Sequence, residues 1–335
     1  MSKFYTSVER FGQNILWRGY DANGKRFSKK VHFEPTLYCN TPNNEPSNFR
    51  SLQGDIPLMP MPQDSMRHAK EFIERYKDVH GMTIAGSSNY VAQFIQEEYP
   101  NNIKFDPTKI NIVSFDIEVD IADGYPDVDF ADKEITSIAY KSSKSSDYHL
   151  LGRKDYDKSK TLLDIDPDNI HFMKFDTEHA LLKRFKELWI NDYPDIVTGW
   201  NVEYFDIQYI ITRMKNLFGE DWIKDLSPWR NIRQTGREFY GKMQNTYQIG
   251  GMAVVDYMDC FKKFGYKYGP QESWKLDHIA YVVLGEKKLD YSEYGNLNAL
   301  YEQNPQLYLD YNLKDTWLIQ RFEDETSLLQ LVMTV

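Results

Sequence analysis

Val113-Ser114-Phe115-Asp116-Ile117-Glu118-Val119 decides how the rest of the chain is read. Alternate residues of a strand face opposite sides. Phe115, Ile117 and Val119 therefore share one face, and Asp116 and Glu118 share the other. Acidic residues are depleted in strands, so two of them on one face need a reason. An edge strand with a wet face is one. A site that uses both carboxylates is the other.

Two further segments set acids among apolar neighbours. In Thr198-Gly199-Trp200-Asn201-Val202-Glu203-Tyr204-Phe205-Asp206, the last residue stands at the start of a helix. Alone, Asp206 reads as an acid that caps free N–H groups at the positive end of the helix dipole. In Tyr311-Asn312-Leu313-Lys314-Asp315, Tyr311 and Asp315 stack on one helix face. Alone, that pair reads as a core tyrosine beside a surface aspartate. Taken together, the segments say more. An ionised carboxylate is costly to bury unless something cationic compensates it. Four acids gathered by the fold must protonate or hold metal. Two Mg²⁺ or Mn²⁺ ions would relieve the repulsion, and a paired-metal acidic cluster is the usual apparatus for hydrolysing phosphodiesters.

The composition is compatible with this. The chain has 335 residues, 41% of them hydrophobic and 15% aromatic, enough for two domains with real cores. The net charge of -10 argues against a nucleic-acid binder. The argument is weak where catalytic carboxylates supply part of that charge and local basic stripes meet the DNA. Cys39 and Cys260 lie far apart without metal-ligand spacing, which suggests a reducing cytoplasm. No signal peptide and no run of eighteen apolar residues is present, so no membrane role is expected.

Strands are predicted over 4–9, 14–20 and 27–33, the last two joined by a hairpin turn at Asn23-Gly24. A helix is predicted over 65–79, and residues 104–109 form a polar boundary containing Pro107. The expected domains are therefore a smaller β-rich α+β unit over 1–109 and an α/β unit with a mixed sheet over 110–335. In the second, strands are predicted at 111–119, 135–140, 196–198 and 252–256, and helices at 177–193 and 205–218. A long hairpin spans 230–249, and helices dominate from 273. The last helix, 305–335, carries an apolar stripe of Leu328, Leu329, Leu331 and Val332 with no cap or stop after it. This suggests a chain that continues or docks on a partner.

Phe115-Asp116-Ile117-Glu118, Thr198-Gly199-Trp200-Asn201 through Phe205-Asp206, and Tyr311 to Asp315 resemble the three exonuclease motifs of family B DNA polymerases, the DEDD type with tyrosine. The likeness is to the replicative polymerases of T-even-like bacteriophages. It spans nearly the whole chain and includes Leu226-Ser227-Pro228, Val255-Asp256-Tyr257 and Lys262-Lys263-Phe264. The resemblance implies a ribonuclease H-like 3′→5′ proofreading exonuclease domain behind an N-terminal domain, working in the cytoplasm of an infected bacterium. Two divalent ions, Mg²⁺ or Mn²⁺, would be held by Asp116, Glu118, Asp206 and Asp315, with Asp116 shared between them. Tyr311 would align the attacking water. Lys288, in Gly285-Glu286-Lys287-Lys288-Leu289, matches a family lysine near the scissile phosphate, with Lys287 the alternative and a solvated lysine pair the plainer reading.

The partner would be the 3′ end of single-stranded or primer–template DNA. Tyr125, in a turn after the first motif, is the candidate to stack on a terminal base, although a half-exposed loop tyrosine fits equally. Asn201 belongs to the second motif and is expected at the DNA. Arg230, Arg233, Arg237 and Lys242 give local positive charge suited to phosphates, opposed by Glu238 alone. Phe239-Tyr240-Gly241 would be the tip of a hairpin that helps part template from primer. Lys25, Arg26, Lys29 and Lys30 form a second basic cluster that could touch template or RNA, or be a solvated strand face.

The palm motifs of the family, an Asp followed by Ser-Leu-Tyr-Pro and a Tyr-x-Asp-Thr-Asp run, are absent. The chain by itself is not expected to polymerise. It would act with palm, fingers and thumb, in cis or as a separate chain. Two rival readings are an RNA-binding translational regulator acting through the N-terminal domain, and the docking half of a split polymerase.

Overall fold

A computed structural model describes residues 2–122, 124–239, 242–286 and 289–334. The chain forms two compact units, Met1–Lys109 and Ile110–Val335.

The first unit begins with a meander of β1 (Phe4–Phe11), β2 (Asn14–Tyr20) and β3 (Arg26–His32). Its second turn follows from the side chain of Asp21, whose Oδ1 accepts the N–H groups of Asn23 and Lys25, both at 2.9 Å. Gly24 supplies the positive φ of 76° that the turn requires. A second sheet has the order β5-β6-β4-β7, built from β4 (Thr36–Asn40), β5 (Phe49–Arg50), β6 (Pro57–Pro62) and β7 (Ile84–Ala85). Helix α1 (Met66–Tyr76) starts at Ser65, which caps His68 N–H, and α2 (Tyr90–Glu98) follows. Ile15, Trp17, Phe33, Leu37, Ala69 and Phe94 pack as the core. The sequence reading missed α2 and the second sheet. The strands there are short, and the longest carries Pro57, Pro60 and Pro62, so their pairing carries the assignment and local pattern does not.

The second unit is a six-stranded mixed sheet of order β11-β10-β9-β8-β12-β15. Its strands are β8 (Ile112–Val119), β9 (Ile135–Ser142), β10 (Tyr148–Gly152), β11 (Ile170–Lys174), β12 (Ile196–Thr198) and β15 (Ala253–Val254). β8, β9 and β10 run antiparallel in succession; β12 lies parallel to β8, and β15 parallel to β12. β8 is thus central, and the edge-strand explanation for Asp116 and Glu118 falls away. Helices α3 (Glu178–Asn191) and α4 (Asp206–Phe218) lead from β11 to β12 and onward from β12. The short α5 (Glu220–Ile223) and a hairpin of β13 (Ile232–Phe239) and β14 (Lys242–Ile249) come before β15. Helices α6 (Tyr257–Phe264), α7 (Leu276–Leu284), α8 (Leu297–Gln303), α9 (Pro305–Thr326) and α10 (Leu328–Thr334) complete the unit.

Two cores sandwich the sheet. Val113, Phe115, Ile117 and Val119 of β8 pack with Leu182, Phe185 and Trp189 of α3 and Ile207 and Ile210 of α4. Ala139 and Leu150 pack on the opposite side with Phe261, Leu309, Leu313 and Phe322. Asp116 and Glu118 therefore point toward the face covered by α9. Because both sheet faces are covered, β9 is buried from Ile135 through Lys141, its polar Thr136, Ser137 and Lys141 included.

The long terminal helix of the sequence reading is two helices. Ser327 takes a φ of 52° and ends α9. The Glu323 carboxylate then accepts the N–H groups of Leu329 and Gln330 at 2.9 and 3.1 Å, starting α10. Leu328 and Leu329 are buried in the second core. That part of the stripe is covered by the unit itself, and only its Leu331 remains substantially exposed.

Candidate active site

The site is built where β8 outlasts its neighbour. β12 pairs with β8 through Ile112, Val113 and Ser114 and then stops. Among the described residues, no strand receives the N–H of Ile117, further along, on that side. Asp206 Oδ1 accepts it instead, at 3.0 Å. Asp206, buried at the first position of α4, thus spends one oxygen tying the second segment to the first. This goes beyond a helix-start cap.

The turn between β12 and α4 depends on Gly199 and on a carboxylate outside the three segments. A Cβ at residue 199 would meet the Phe115 carbonyl oxygen at 2.9 Å and Val202 Cβ at 3.0 Å, so the close approach needs glycine. Asn201 takes a positive φ of 62°. Asp256, buried and capping α6, accepts the N–H groups of Asn201 at 3.1 Å, Glu203 at 3.2 Å and Met258 at 3.0 Å. Burial pushes the Asp256 carboxyl up, and the Glu203 and Asn201 N–H groups pull it down. The sequence reading noted Val255-Asp256-Tyr257 without giving Asp256 a role. Its position just before a helix was the available signal.

On the other side of β8, α9 brings the third segment. Asp116, Glu118 and Asp315 each offer a carboxylate oxygen within 4.8 Å of the other two. Burial raises the carboxyl of Asp116 well above its ordinary value, and Asp206 pushes the same way while the Asn312 amide opposes it. Glu118 is raised by burial and then by Asp116, Asp315 and Asp206. Asp206 is raised by burial, with the Ile117 N–H opposing and Asp256 and Asp315 adding to it. Four separated carboxylates thus share one electrostatic environment, and they destabilise one another's charge. Tyr311 lies close enough to Asp315 and Glu118 to feel their charge. Its phenol is pushed upward by burial, Asp315 and Glu118, so it keeps its proton. Its ring meets Tyr291 edge-on at 5.5 Å.

Asn312, within the third segment, has a role that the sequence does not show. It is wholly buried and donates from Nδ2 to Asp116 Oδ2 at 2.7 Å, while its Oδ1 accepts from the Ser137 hydroxyl. Asp310 is also fully buried. It accepts from Tyr156 Oη at 2.7 Å, Thr161 Oγ1 at 2.8 Å and the Leu162 N–H at 3.0 Å, which pins α9 to the loop before β11.

The expected DNA contacts are less gathered. Tyr125 is 94% exposed on its loop. Phe239 and Lys242 are paired ends of β13 and β14, with Arg237 opposite Gln244. Tyr240, Lys287 and Lys288 lie outside the described residues. Arg230 is a correction: it is ion-paired with Asp221 at 2.9 Å and also with Asp225, so its charge is not set aside for a phosphate. The hairpin is anchored near the site through Thr246 Oγ1, which donates to the Glu203 carbonyl at 2.7 Å. Asp129 helps to hold it, accepting from Asn245 and Gln208 at 2.9 and 3.1 Å.

Hard carboxylate oxygens so close together suit Mg²⁺ or Mn²⁺, and no cysteine joins them. Among the described residues, no helix is long and apolar enough to cross a membrane.

Residues 87–279 match the family model of the DNA polymerase family B exonuclease domain. That stretch holds Asp116, Glu118 and Asp206; Tyr311 and Asp315 lie beyond it, within the stretch aligned to phage relatives. The chain is 31% identical over 99% of its length to the DNA-directed DNA polymerase of Escherichia phage RB69, and 29% identical over its full length to that of Enterobacteria phage T4. It spans 38% of each of these proteins. The DNA polymerase catalytic subunit of Alcelaphine herpesvirus 1 is 28% identical over 56% of the chain, which covers 18% of that protein. The chain belongs to the family B DNA polymerases and carries the exonuclease domain of that family.

Proposed function

We propose that this chain is a metal-dependent 3′→5′ proofreading exonuclease that hydrolyses the terminal phosphodiester of DNA and releases nucleoside 5′-monophosphates. One observation carries the reading. In a family B exonuclease domain, Asp116, Glu118 and Asp315 bring oxygens within 4.8 Å of one another from sites far apart in sequence. The same arrangement supports a ribonuclease H-like core, in which three antiparallel strands are followed by two parallel ones on the far side of the first.

Asp116, Glu118, Asp206 and Asp315 would hold two divalent cations, Mg²⁺ or Mn²⁺, which when bound lower the pKa of the attacking water and stabilise charge developing at phosphorus. The chain's own groups do the rest. Tyr311 stays protonated beside Asp315 and Glu118, so its hydroxyl can orient the attacking water as donor or acceptor. Asp256 and Gly199 fix the turn that sets Asp206 and Asn201 in place. Tyr125, exposed beyond β8, offers a face on which a terminal base could stack. Arg237, Phe239 and Lys242 of the hairpin, and Tyr240 next to Phe239 in sequence, would meet the strand, and Lys288 the scissile phosphate. The substrate is DNA with a free 3′ end, in the cytoplasm of the infected host, and the polymerising part that the relatives possess is the natural partner.

The test is a 5′-labelled single-stranded oligonucleotide with Mg²⁺. Stepwise shortening from the 3′ end is expected, together with its loss in Asp116→Ala. A wild-type chain that leaves the oligonucleotide whole would overturn the reading.

A further inference from the structure

Asn312 is an uncharged side chain seated against the acidic cluster. Both ends of its amide are engaged. Nδ2 donates to Asp116 Oδ2 at 2.7 Å and approaches the Asp116 carbonyl at 3.3 Å; Oδ1 accepts from Ser137 on β9. A backbone carbonyl can only accept, so the NH₂ end must face Asp116, and the carbonyl end then needs a donor. The Ser137 hydroxyl supplies it, and Ser137 is wholly buried as well. Asp116 reaches the cluster through a χ2 torsion that is intrinsically broad. Nothing in β8 itself fixes that torsion.

We propose that Asn312, held by Ser137, is a positioning residue that sets the rotation of the Asp116 carboxylate before any cation arrives. One lone pair of Oδ2 is committed to the amide, and the remaining pairs are left for metal. Without the amide, the carboxylate would have to be ordered during binding, and affinity would fall. Outer partners of metal-binding groups act in this way. The inference rests on reading the acidic cluster as the metal centre.

The test is Mn²⁺ binding to the whole chain, followed by the paramagnetic resonance signal of free Mn²⁺. Asn312→Ala should raise the Mn²⁺ concentration for half-occupancy roughly 10- to 100-fold. Ser137→Ala, which leaves the amide in place but unheld, should raise it less. Cleavage by both variants should recover as Mn²⁺ is increased, which a merely misfolded protein would not do. Circular dichroism checks the fold, and if Asn312→Ala does not fold, Ser137→Ala decides. A folded variant with half-occupancy within about twofold of wild type would overturn the role. Asp116→Ala separates the two claims. Equal Mn²⁺ binding by it and by wild type would remove the metal centre, and this role with it. Loss there, combined with wild-type binding by the Asn312 and Ser137 variants, would remove the positioning role alone.

Discussion

Asp206 Oδ1 accepts the backbone N–H of Ile117 across 89 residues of chain, on the side of β8 where β12 has already ended. One carboxylate thus does two jobs, closing a strand's hydrogen bonding and adding charge to the cluster. The two can be separated. Asp206→Asn keeps an oxygen acceptor and removes the charge, whereas Asp206→Ala leaves a buried N–H unpaired. Asp206→Asn should therefore be more stable than Asp206→Ala by about 1–3 kcal/mol in urea unfolding, while both lose exonuclease activity. Equal stability would mean that the Ile117 N–H finds another partner.

Stability without metal should depend on pH in a defined direction. Asp116, Glu118 and Asp206 all have carboxyls raised above their ordinary values of 3.8, 4.5 and 3.8. The folded chain therefore binds these protons more tightly than the unfolded chain. The associated stability is present in full below the ordinary values and is lost as pH rises through the raised ones. With chelator present, the melting temperature should fall from weakly acidic toward alkaline pH by more in wild type than in Asp116→Asn. Added Mg²⁺ should restore it, and by more at pH 8 than at pH 5, because the ligands must be deprotonated to bind. A metal-induced increment that shrinks with rising pH would contradict this.

Arg213 and Glu178 clamp the helix that carries Asp206. Arg213 on α4 donates to Glu178 at the start of α3 through Nε at 2.9 Å and Nη2 at 2.8 Å, with side chains 12% and 3% exposed. Glu178 also accepts the Ile135 N–H at 2.8 Å, which ties in the start of β9. Removing one partner of a buried pair strands the other. Arg213→Ala should cost about 3–5 kcal/mol in chemical denaturation. An Arg213→Met, Glu178→Leu double variant should recover only part of that loss, because it leaves the Ile135 N–H unpaired. A cost below about 1 kcal/mol, as for an exposed pair, would show that water reaches Glu178.

Gly199→Ala tests the turn before Asp206. The added methyl would meet backbone oxygen at 2.9 Å, and that oxygen belongs to a central strand. The turn must shift, and Asp206 moves with it. Overpacking of this kind costs about 1–3 kcal/mol, and cleavage should fall well beyond what the remaining folded fraction explains. Gly219→Ala is the comparison: nothing lies near its Cβ, but its φ is 90°, so it should lose stability from backbone strain and keep cleavage per folded molecule.

Much of the site was legible because carboxylates in apolar strands and helices are locally anomalous. The alternation of Phe115, Ile117 and Val119 against Asp116 and Glu118 gave their faces correctly, because strand period needs no partner to be seen. The start of α4 at Asp206 and the four-residue spacing from Tyr311 to Asp315 were likewise local. Asp256, Asn312 and Ser137 were not legible as partners. Polar side chains of this kind look ordinary until the chain segments they join are brought together. The break at Ser327 was hidden for a similar reason, since Glu323 caps α10 from the preceding helix.

The amino-acid order by itself determined which side of β8 is apolar, where the second unit's main helices start, and which four acids are out of place. The tertiary structure alone decided that β8 is central, that β12 ends early enough to release the Ile117 N–H to Asp206, and that Asn312 meets Asp116. Periodicity and capping are written in neighbouring residues. Strand order and buried hydrogen bonding depend on residues far apart in sequence, whose meeting is fixed by burying both faces of one sheet.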